Sequence, residues 1–291
     1  MKQKVIIIYN PISGAKRGID LPKLVEQYLD KTKFEYVLYA SKSAEDMTRL
    51  SKEAAVSDAD IVVAAGGDGS ANTVSKQLIN TNKKFYLFPL GSGNGFARHF
   101  HIPMQIIQAI RSLANCNFTT TVSTGMMNDI HFINVAGTGF DAHISQIFAH
   151  TNKRGFWGYF KAVLKELPYQ SKTYKISNGN ITWQGKAFLI SVANATQWGN
   201  DVKIAPHADP TDEILDLVMI KRFSLIAAPC ILIRLLIGKI KKSKYFYLLS
   251  GKELIIEREH AGVAHVDGDP VNTDNKLVFK CTGKLHVLHG S

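Results

Sequence analysis

Three times before residue 100 an apolar run stops on a cluster of glycine, serine and asparagine. Val5-Ile6-Ile7-Ile8-Tyr9 leads to Asn10-Pro11-Ile12-Ser13-Gly14, and Asp60-Ile61-Val62-Val63-Ala64-Ala65 leads to Gly66-Gly67-Asp68-Gly69-Ser70. Phe85-Tyr86-Leu87-Phe88-Pro89-Leu90 leads to Gly91-Ser92-Gly93-Asn94-Gly95. Short continuous apolar runs with turn residues behind them read as strands buried on both faces. In open α/β sheets ligands collect beyond the carboxyl ends of the strands, so three such loops converging there would build one site.

Helical patterns fill the gaps between these strands. Leu21 to Leu29, Ala44 to Ala55, Ala71 to Ile79 and Met104 to Ala114 alternate with strands at Val5 to Tyr9, Phe34 to Tyr39, Ile61 to Ala65 and Phe85 to Leu90. Pro22, Pro103 and Ser43 followed by Asp46 mark helix starts. Strand and helix in alternation predict a doubly wound parallel sheet over residues 1–119. After about Asn117 the texture becomes Thr-rich and β-branched, in short runs such as Ala187 to Asn194, Ile214 to Ile220, Gly262 to Val266, Lys276 to Phe279 and Leu285 to Leu288. Close-spaced strands predict an antiparallel β-sandwich domain over residues 120–291. Two helical patterns, Gly155 to Leu167 and Ser224 to Lys239, interrupt it.

The bulk numbers bound the partners. Thirty-five Lys and Arg against 24 Asp and Glu leave a formal charge of +11, which favours an anionic partner: a nucleotide, nucleic acid or an acidic membrane surface. The basic residues are dispersed and carry no recognition-helix or stacking pattern, which argues against nucleic acid. Cys116, Cys230 and Cys281 stand far apart, fitting neither a disulfide framework nor a zinc site, and all three are expected to be buried or inert. The longest apolar stretch, Ser224 to Ile240, contains Pro229, Arg234 and Lys239 and falls short of the ~20 residues that cross a bilayer.

Glycines at a strand-to-helix turn let the backbone approach an anion, and the helix start offers unpaired N–H groups and a positive dipole end. The loop at Gly66 to Ser70 is therefore a candidate phosphate cradle. A carboxylate there, Asp68, suits a metal or a proton transfer. The chain has no G-x-x-x-x-G-K-[ST] and no kinase H-R-D or D-F-G, and Gly91-x-Gly93-x-Gly95 lacks the dinucleotide spacing.

The combination resembles the diacylglycerol kinase catalytic family, which bacterial soluble lipid kinases share with sphingosine and ceramide kinases. The likeness rests on Asn10-Pro11-x-Ser13-Gly14, Gly66-Gly67-Asp68-Gly69-Ser70-x-Asn72, Pro89-Leu90-Gly91-Ser92-Gly93-Asn94, Gly137-x-Gly139-Phe140-Asp141-Ala142, Ala205-Pro206-x-Ala208 with Leu215-Asp216, and Asp267-Gly268-Asp269. These follow the family order along nearly the whole chain. The resemblance implies an ATP site lined by Asn10, Ser13, Gly14, Ser41, Gly66, Gly67, Asp68, Gly69, Ser70, Asn72, Gly91, Ser92 and Asn94. It also implies that Asp68 serves the metal and phosphate network and that Asp269 is the general base for a lipid hydroxyl. Taken without the family, Asp267-Gly268 reads first as a hairpin turn.

A structural Mg²⁺ is implied at Asp212 with the carbonyls of Asp209 and Ile214. Glu213 stands where the family has glycine, which disfavours that geometry if φ must be positive. Two further departures thin the acids of the metal network: Gly95 follows the third loop, and Ser123 stands near the first strand of the second domain, both where the diacylglycerol type carries Asp.

The expected function is ATP- and Mg²⁺-dependent phosphorylation of diacylglycerol or a related lipid, in the cytoplasm and peripherally at a membrane, with a homodimer left open. Lys153-Arg154-Gly155-Phe156-Trp157-Gly158-Tyr159-Phe160 and the helix at Ser224 to Ile240, followed by Lys241, Lys242 and Lys244, are expected to meet the membrane or to pack on the sandwich. Alternatives are a sphingoid-base or other long-chain alcohol kinase, an NAD kinase, and a non-catalytic nucleotide- or lipid-binding regulator.

Overall fold

A computed structural model describes residues 2–11, 19–91, 93–149, 165–196 and 203–290. Contacts divide the chain into two units, Met1–Val122 with Gly283–Ser291, and Ser123–Thr282.

In the first unit β1 (Gln3–Tyr9), β2 (Phe34–Ala40), β3 (Ile61–Gly66) and β4 (Lys84–Pro89) lie parallel, in the order β4-β3-β1-β2. All six residues of β3 are buried, which requires cover on both faces of the sheet. The cover comes from α1 (Leu21–Tyr28), α2 (Ala44–Val56), α3 (Asp68–Leu78), α4 (Gly95–His99) and α5 (Ile106–Leu113), with α1 packed on α5 and α2 on α3. The helix starts follow from local chemistry. Asp20 caps α1 by accepting from Lys23 N at 3.2 Å, and Ser43 caps α2 by accepting from Asp46 N at 3.1 Å. Ile106, Ala109, Ile110 and Leu113 form the buried stripe of α5.

The second unit is antiparallel. Its elements are the end of β5 (Phe118–Met127), then β6 (Ile130–Phe132), β7 (Val135–Gly139), α6 (Phe140–Ala149), β8 (Lys172–Ser177), β9 (Thr182–Ala193), β10 (Leu215–Lys221), α7 (Ala228–Leu236), β11 (Phe246–Gly251), β12 (Glu253–Arg258), β13 (Gly262–Val266), β14 (Asp269–Thr273) and the first part of β15 (Lys276–His289). Strands run in the order β14-β13-β7-β9-β8-β12-β15, with β10 joining β9 to β11. One core, including Phe132, Tyr174, Leu254 and Phe279, fills the strand layers. A second, including Phe140, Ile144, Phe188, Ile231 and Leu235, lies under α6 and α7.

The chain pattern misses several features. The boundary expected at 119/120 falls inside β5. The runs Lys276 to Phe279 and Leu285 to Leu288 are one strand, β15, whose His286 and Val287 pair parallel with Lys84 and Phe85 of β4. Residues 283–291 thus belong to the first unit. Neither α6 nor β14 was expected. The Ser224 to Lys239 pattern resolves into a 3₁₀ turn, Leu225–Ala227, and α7. Gly155 to Leu167 lies mostly outside the described residues, as does Lys153 to Phe160. Cys230 is exposed rather than buried.

Candidate functional site

Strand register sets the candidate phosphate loops level. Tyr9 pairs with both Ala40 and Ala65, and Gly66 pairs with Pro89, so Asn10, Ser41, Gly67 and Leu90 leave the sheet at one edge. Three bonds fasten that edge. Ser41 donates from N (2.8 Å) and Oγ (3.2 Å) to the Tyr9 carbonyl, and Leu90 N donates to the Gly66 carbonyl at 2.8 Å. The two glycine loops then touch through their backbones. A Cβ on Gly91 would lie 2.5 Å from the Gly67 Cα, a separation that no side chain tolerates. A Cβ on Gly69 would meet nothing within 4 Å. Packing therefore demands glycine at 91, whereas at 69 glycine leaves open a space beside the first turn of α3. Gly67 occupies the N-cap of α3 without a side-chain hydrogen bond, so among the described residues no side chain caps the free N–H groups of that turn.

Among the expected contacts, Ser70 and Asn72 are buried in the first turns of α3. Neither polar atom of the Asn72 amide has a hydrogen-bond partner among the described residues. A buried amide in that state is costly and marks a position where a ligand would supply bonds. Asp68 Oδ1 accepts from Phe96 N at 3.4 Å, linking the starts of α3 and α4. Asn94 is bonded to its own loop. With φ +50° it accepts from Gly91 N at 3.1 Å and donates to the Gly91 carbonyl at 2.8 Å, so its amide is spent on closing the loop. Ser13, Gly14 and Ser92 lie outside the described residues.

In the second unit Asp267 (φ +52°) and Gly268 (φ +92°) form the two-residue turn between β13 and β14. Both left-handed conformations are what a type I′ hairpin needs, so the Asp-Gly signal is a turn. The same turn carries Asp269 as the exposed first residue of β14. Asp267 fastens it: its carboxylate accepts from the backbone N–H of Ile133 (3.0 Å), Asn134 (2.8 Å) and Val135 (3.1 Å), and its own N donates to the Val135 carbonyl at 2.7 Å. The far end of the hairpin is held by Arg258, which donates to Thr138 Oγ1 (3.0 Å) and to the carbonyls of Gly262 (2.7 Å), Val263 (3.0 Å) and Thr273 (2.9 Å).

The acidic loop before β10 is built of side-chain turns. Asp209 Oδ1 accepts from Thr211 N (2.9 Å) and Oγ1 (2.7 Å), and Asp212 Oδ1 accepts from Ile214 N (2.8 Å). Glu213 adopts φ +59°, a left-handed conformation that glycine takes without strain. Among the described residues no group of three or more His, Cys, Asp or Glu is placed to hold a metal ion, so a cation here would lean on one carboxylate and backbone carbonyls.

Known proteins decide the kinship. The diacylglycerol kinase catalytic domain family matches residues 4–127, and the YegS C-terminal NAD kinase beta sandwich-like domain family matches residues 134–289. A diacylglycerol kinase of Staphylococcus haemolyticus is 30% identical over 236 residues, 77% of this chain and 69% of that protein. The chain belongs to the diacylglycerol kinase family. A Bacillus subtilis diacylglycerol kinase is likewise 30% identical, over 75% of this chain and 74% of its own length. A Bacillus anthracis crystal structure, provisionally described as a diacylglycerol kinase, superposes with a TM-score of 0.80 at 21% identity, covering 99% of this chain and 98% of that one. That likeness carries the fold.

For a diacylglycerol kinase family member, Ser123 is the departure whose use is visible. Its N and Oγ each donate to the Pro210 carbonyl at 2.7 Å, tying the acidic loop to β5. A carboxylate there has no proton to donate and would face that carbonyl's negative end. Gly95 opens α4 in a buried position, where a larger acid would need room.

Proposed function

We propose that this family member transfers the γ-phosphoryl group of ATP, with Mg²⁺, to the hydroxyl of diacylglycerol or a related lipid. The observation that carries the reading is the pair of glycine loops in backbone contact beneath an open Gly69, at the uncapped start of α3. Phosphoryl transfer asks chiefly for positioning and charge stabilisation, which those N–H groups and the Asn72 amide supply. Mg²⁺ bound with ATP would neutralise phosphate charge, and Asp68 is the residue that would serve it; a separate structural Mg²⁺ would be held by Asp212 with the carbonyls of Asp209 and Ile214. Asp269 takes the proton of the lipid hydroxyl, whose oxygen forms the new bond to phosphorus as the bond to the β,γ-bridging oxygen breaks and ADP leaves with that electron pair.

α7 supports work at a membrane surface in the cytoplasm. Ala228, Ile231 and Leu235 face the core, while Ile226 is 93% exposed and Leu225, Ile233 and Ile237 are each 56% exposed. Lys239, Lys241, Lys242 and Lys244 follow directly. Apolar side chains beside cations suit an interface of anionic lipid. No described helix is long and apolar enough to cross the membrane.

The missing acids at Gly95 and Ser123 favour a second substrate class, a sphingoid base or other long-chain alcohol. Incubating the protein with labelled ATP, Mg²⁺ and diacylglycerol, sphingosine, ceramide, monoacylglycerol or NAD separates the readings. Label on diacylglycerol is expected, and its absence from every lipid rejects the assignment.

A further inference from the structure

The motif Gly137-Thr138-Gly139-Phe140-Asp141-Ala142 plays no part in the phosphate loops, and the structure buries it. Asp141, in the first turn of α6, is 6% exposed. Its Oδ2 accepts from Ser191 Oγ at 2.6 Å and from His265 Nε2 at 3.0 Å, and its Oδ1 accepts from Ala142 N at 2.9 Å. Gly137 makes room for this carboxylate: a Cβ there would lie 2.9 Å from Asp141 Oδ2 and 2.3 Å from the Ile190 carbonyl. Burying a carboxylate is costly unless donors meet it, and here two side chains and a backbone N–H do.

His265 carries the connection onward. It is 2% exposed and lies in β13, two residues before the turn. A carboxylate at Nε2 places the ring proton there, leaving Nδ1 as an acceptor, and Gly268 N donates to Nδ1 at 3.4 Å. Only the neutral Nε2–H tautomer satisfies both neighbours. Both residues of the turn are therefore held: Asp267 through its carboxylate and its N–H to the 133–135 backbone, Gly268 through its N–H to His265. Asp269 is the next residue, and its short side chain reaches only as far as the placement of the turn allows.

We propose that Asp141 and His265 are a positioning pair that sets the tip of the β13–β14 hairpin and thereby aims Asp269. This rests on reading Asp269 as the general base. Asp141 holds the imidazole in one tautomer, and the imidazole holds Gly268.

Two substitutions divide the pair's contacts. His265→Gln keeps an N–H donor for Asp141 and has nothing at the Nδ1 position, whereas His265→Asn keeps an acceptor for Gly268 and leaves Asp141 one donor short. For His265→Gln we expect a thermal midpoint and a KM for ATP near wild type, kcat for diacylglycerol reduced roughly 10- to 100-fold, and faster amide exchange at Gly268. For His265→Asn we expect a lower midpoint with kcat restored toward wild type. Wild-type kcat in His265→Gln, or kcat falling in step with the midpoint in both variants, overturns the proposal. Asp269→Asn tests the base separately. If that variant keeps full rate the base reading fails, while ¹⁵N spectra of His265 still decide the pair: the Nε2–H tautomer upholds it and the Nδ1–H tautomer rejects it.

Discussion

Gly67 and Gly91 meet backbone to backbone, close enough that a methyl group on either would press against the Cα of the other, at 3.2 Å and 2.5 Å. Two loops far apart in sequence are thereby locked into one floor, while Gly69 alongside stays open. Gly91→Ala should lower stability by about 1–3 kcal/mol, because neither backbone can retreat. Gly69→Ala should leave the thermal midpoint unchanged and raise the KM for ATP. Calorimetry and steady-state kinetics check both, and an unchanged KM in Gly69→Ala removes Gly69 from the nucleotide site.

Asp267 and Asp269 stand two residues apart and should fail differently. Asp267→Asn sets an NH₂ group against backbone donors and should cost about 1–3 kcal/mol of stability. Asp269→Asn changes an exposed side chain, so its midpoint should hold while kcat falls roughly 100- to 10,000-fold. Thermal melts and initial rates on the two proteins suffice. A destabilised Asp269→Asn with wild-type rate would exchange the two roles.

The exposed apolar side chains of the 3₁₀ turn and α7 should govern adsorption to vesicles. Ile226→Glu with Ile233→Glu should release the protein from vesicles containing anionic lipid without shifting the thermal midpoint, since both side chains face solvent. Neutralising Lys241, Lys242 and Lys244 should weaken binding most at low salt. Co-sedimentation indifferent to anionic lipid content rules out the electrostatic part.

His207 should make the second unit sensitive to acid. Burial pushes its imidazole below the ordinary 6.5, and Lys241 adds to this while Asp216, 3.5 Å away, opposes it. The unfolded chain therefore takes up a proton near pH 6.5 that the folded chain takes up only at lower pH, so stability falls as pH drops through that window and levels off below it. In His207→Gln the loss of midpoint from pH 7 to pH 5 should be smaller than in wild type. Parallel curves for the two proteins refute the assignment.

The parallel sheet and its loops were legible because every strand buried on both faces ends in residues that only a turn uses. The acid hairpin was legible in part. Asp-Gly announced the turn, but Pro270 hid β14, since proline reads against a strand except at an edge, where β14 lies. α6 was hidden because Gly139 (φ +100°) runs directly into Phe140 with no capping residue ahead of it. The loop-closing bonds of Asn94 were not legible, because an amide in a glycine loop looks the same whether it faces a ligand or its own backbone. His265 gave no signal at all: a lone histidine in an apolar strand carries no spacing, and Asp141, the carboxylate it meets, lies 124 residues away in the sequence.

The final residues of β15 complete the edge of a sheet whose other strands were laid down in the first ninety. On the ribosome, the phosphate-loop half must wait with that edge exposed until the whole sandwich has been synthesised. Its pairing strand arrives only after the sandwich strands, so disrupting the backbone at His286 or Val287 would damage the amino-terminal sheet.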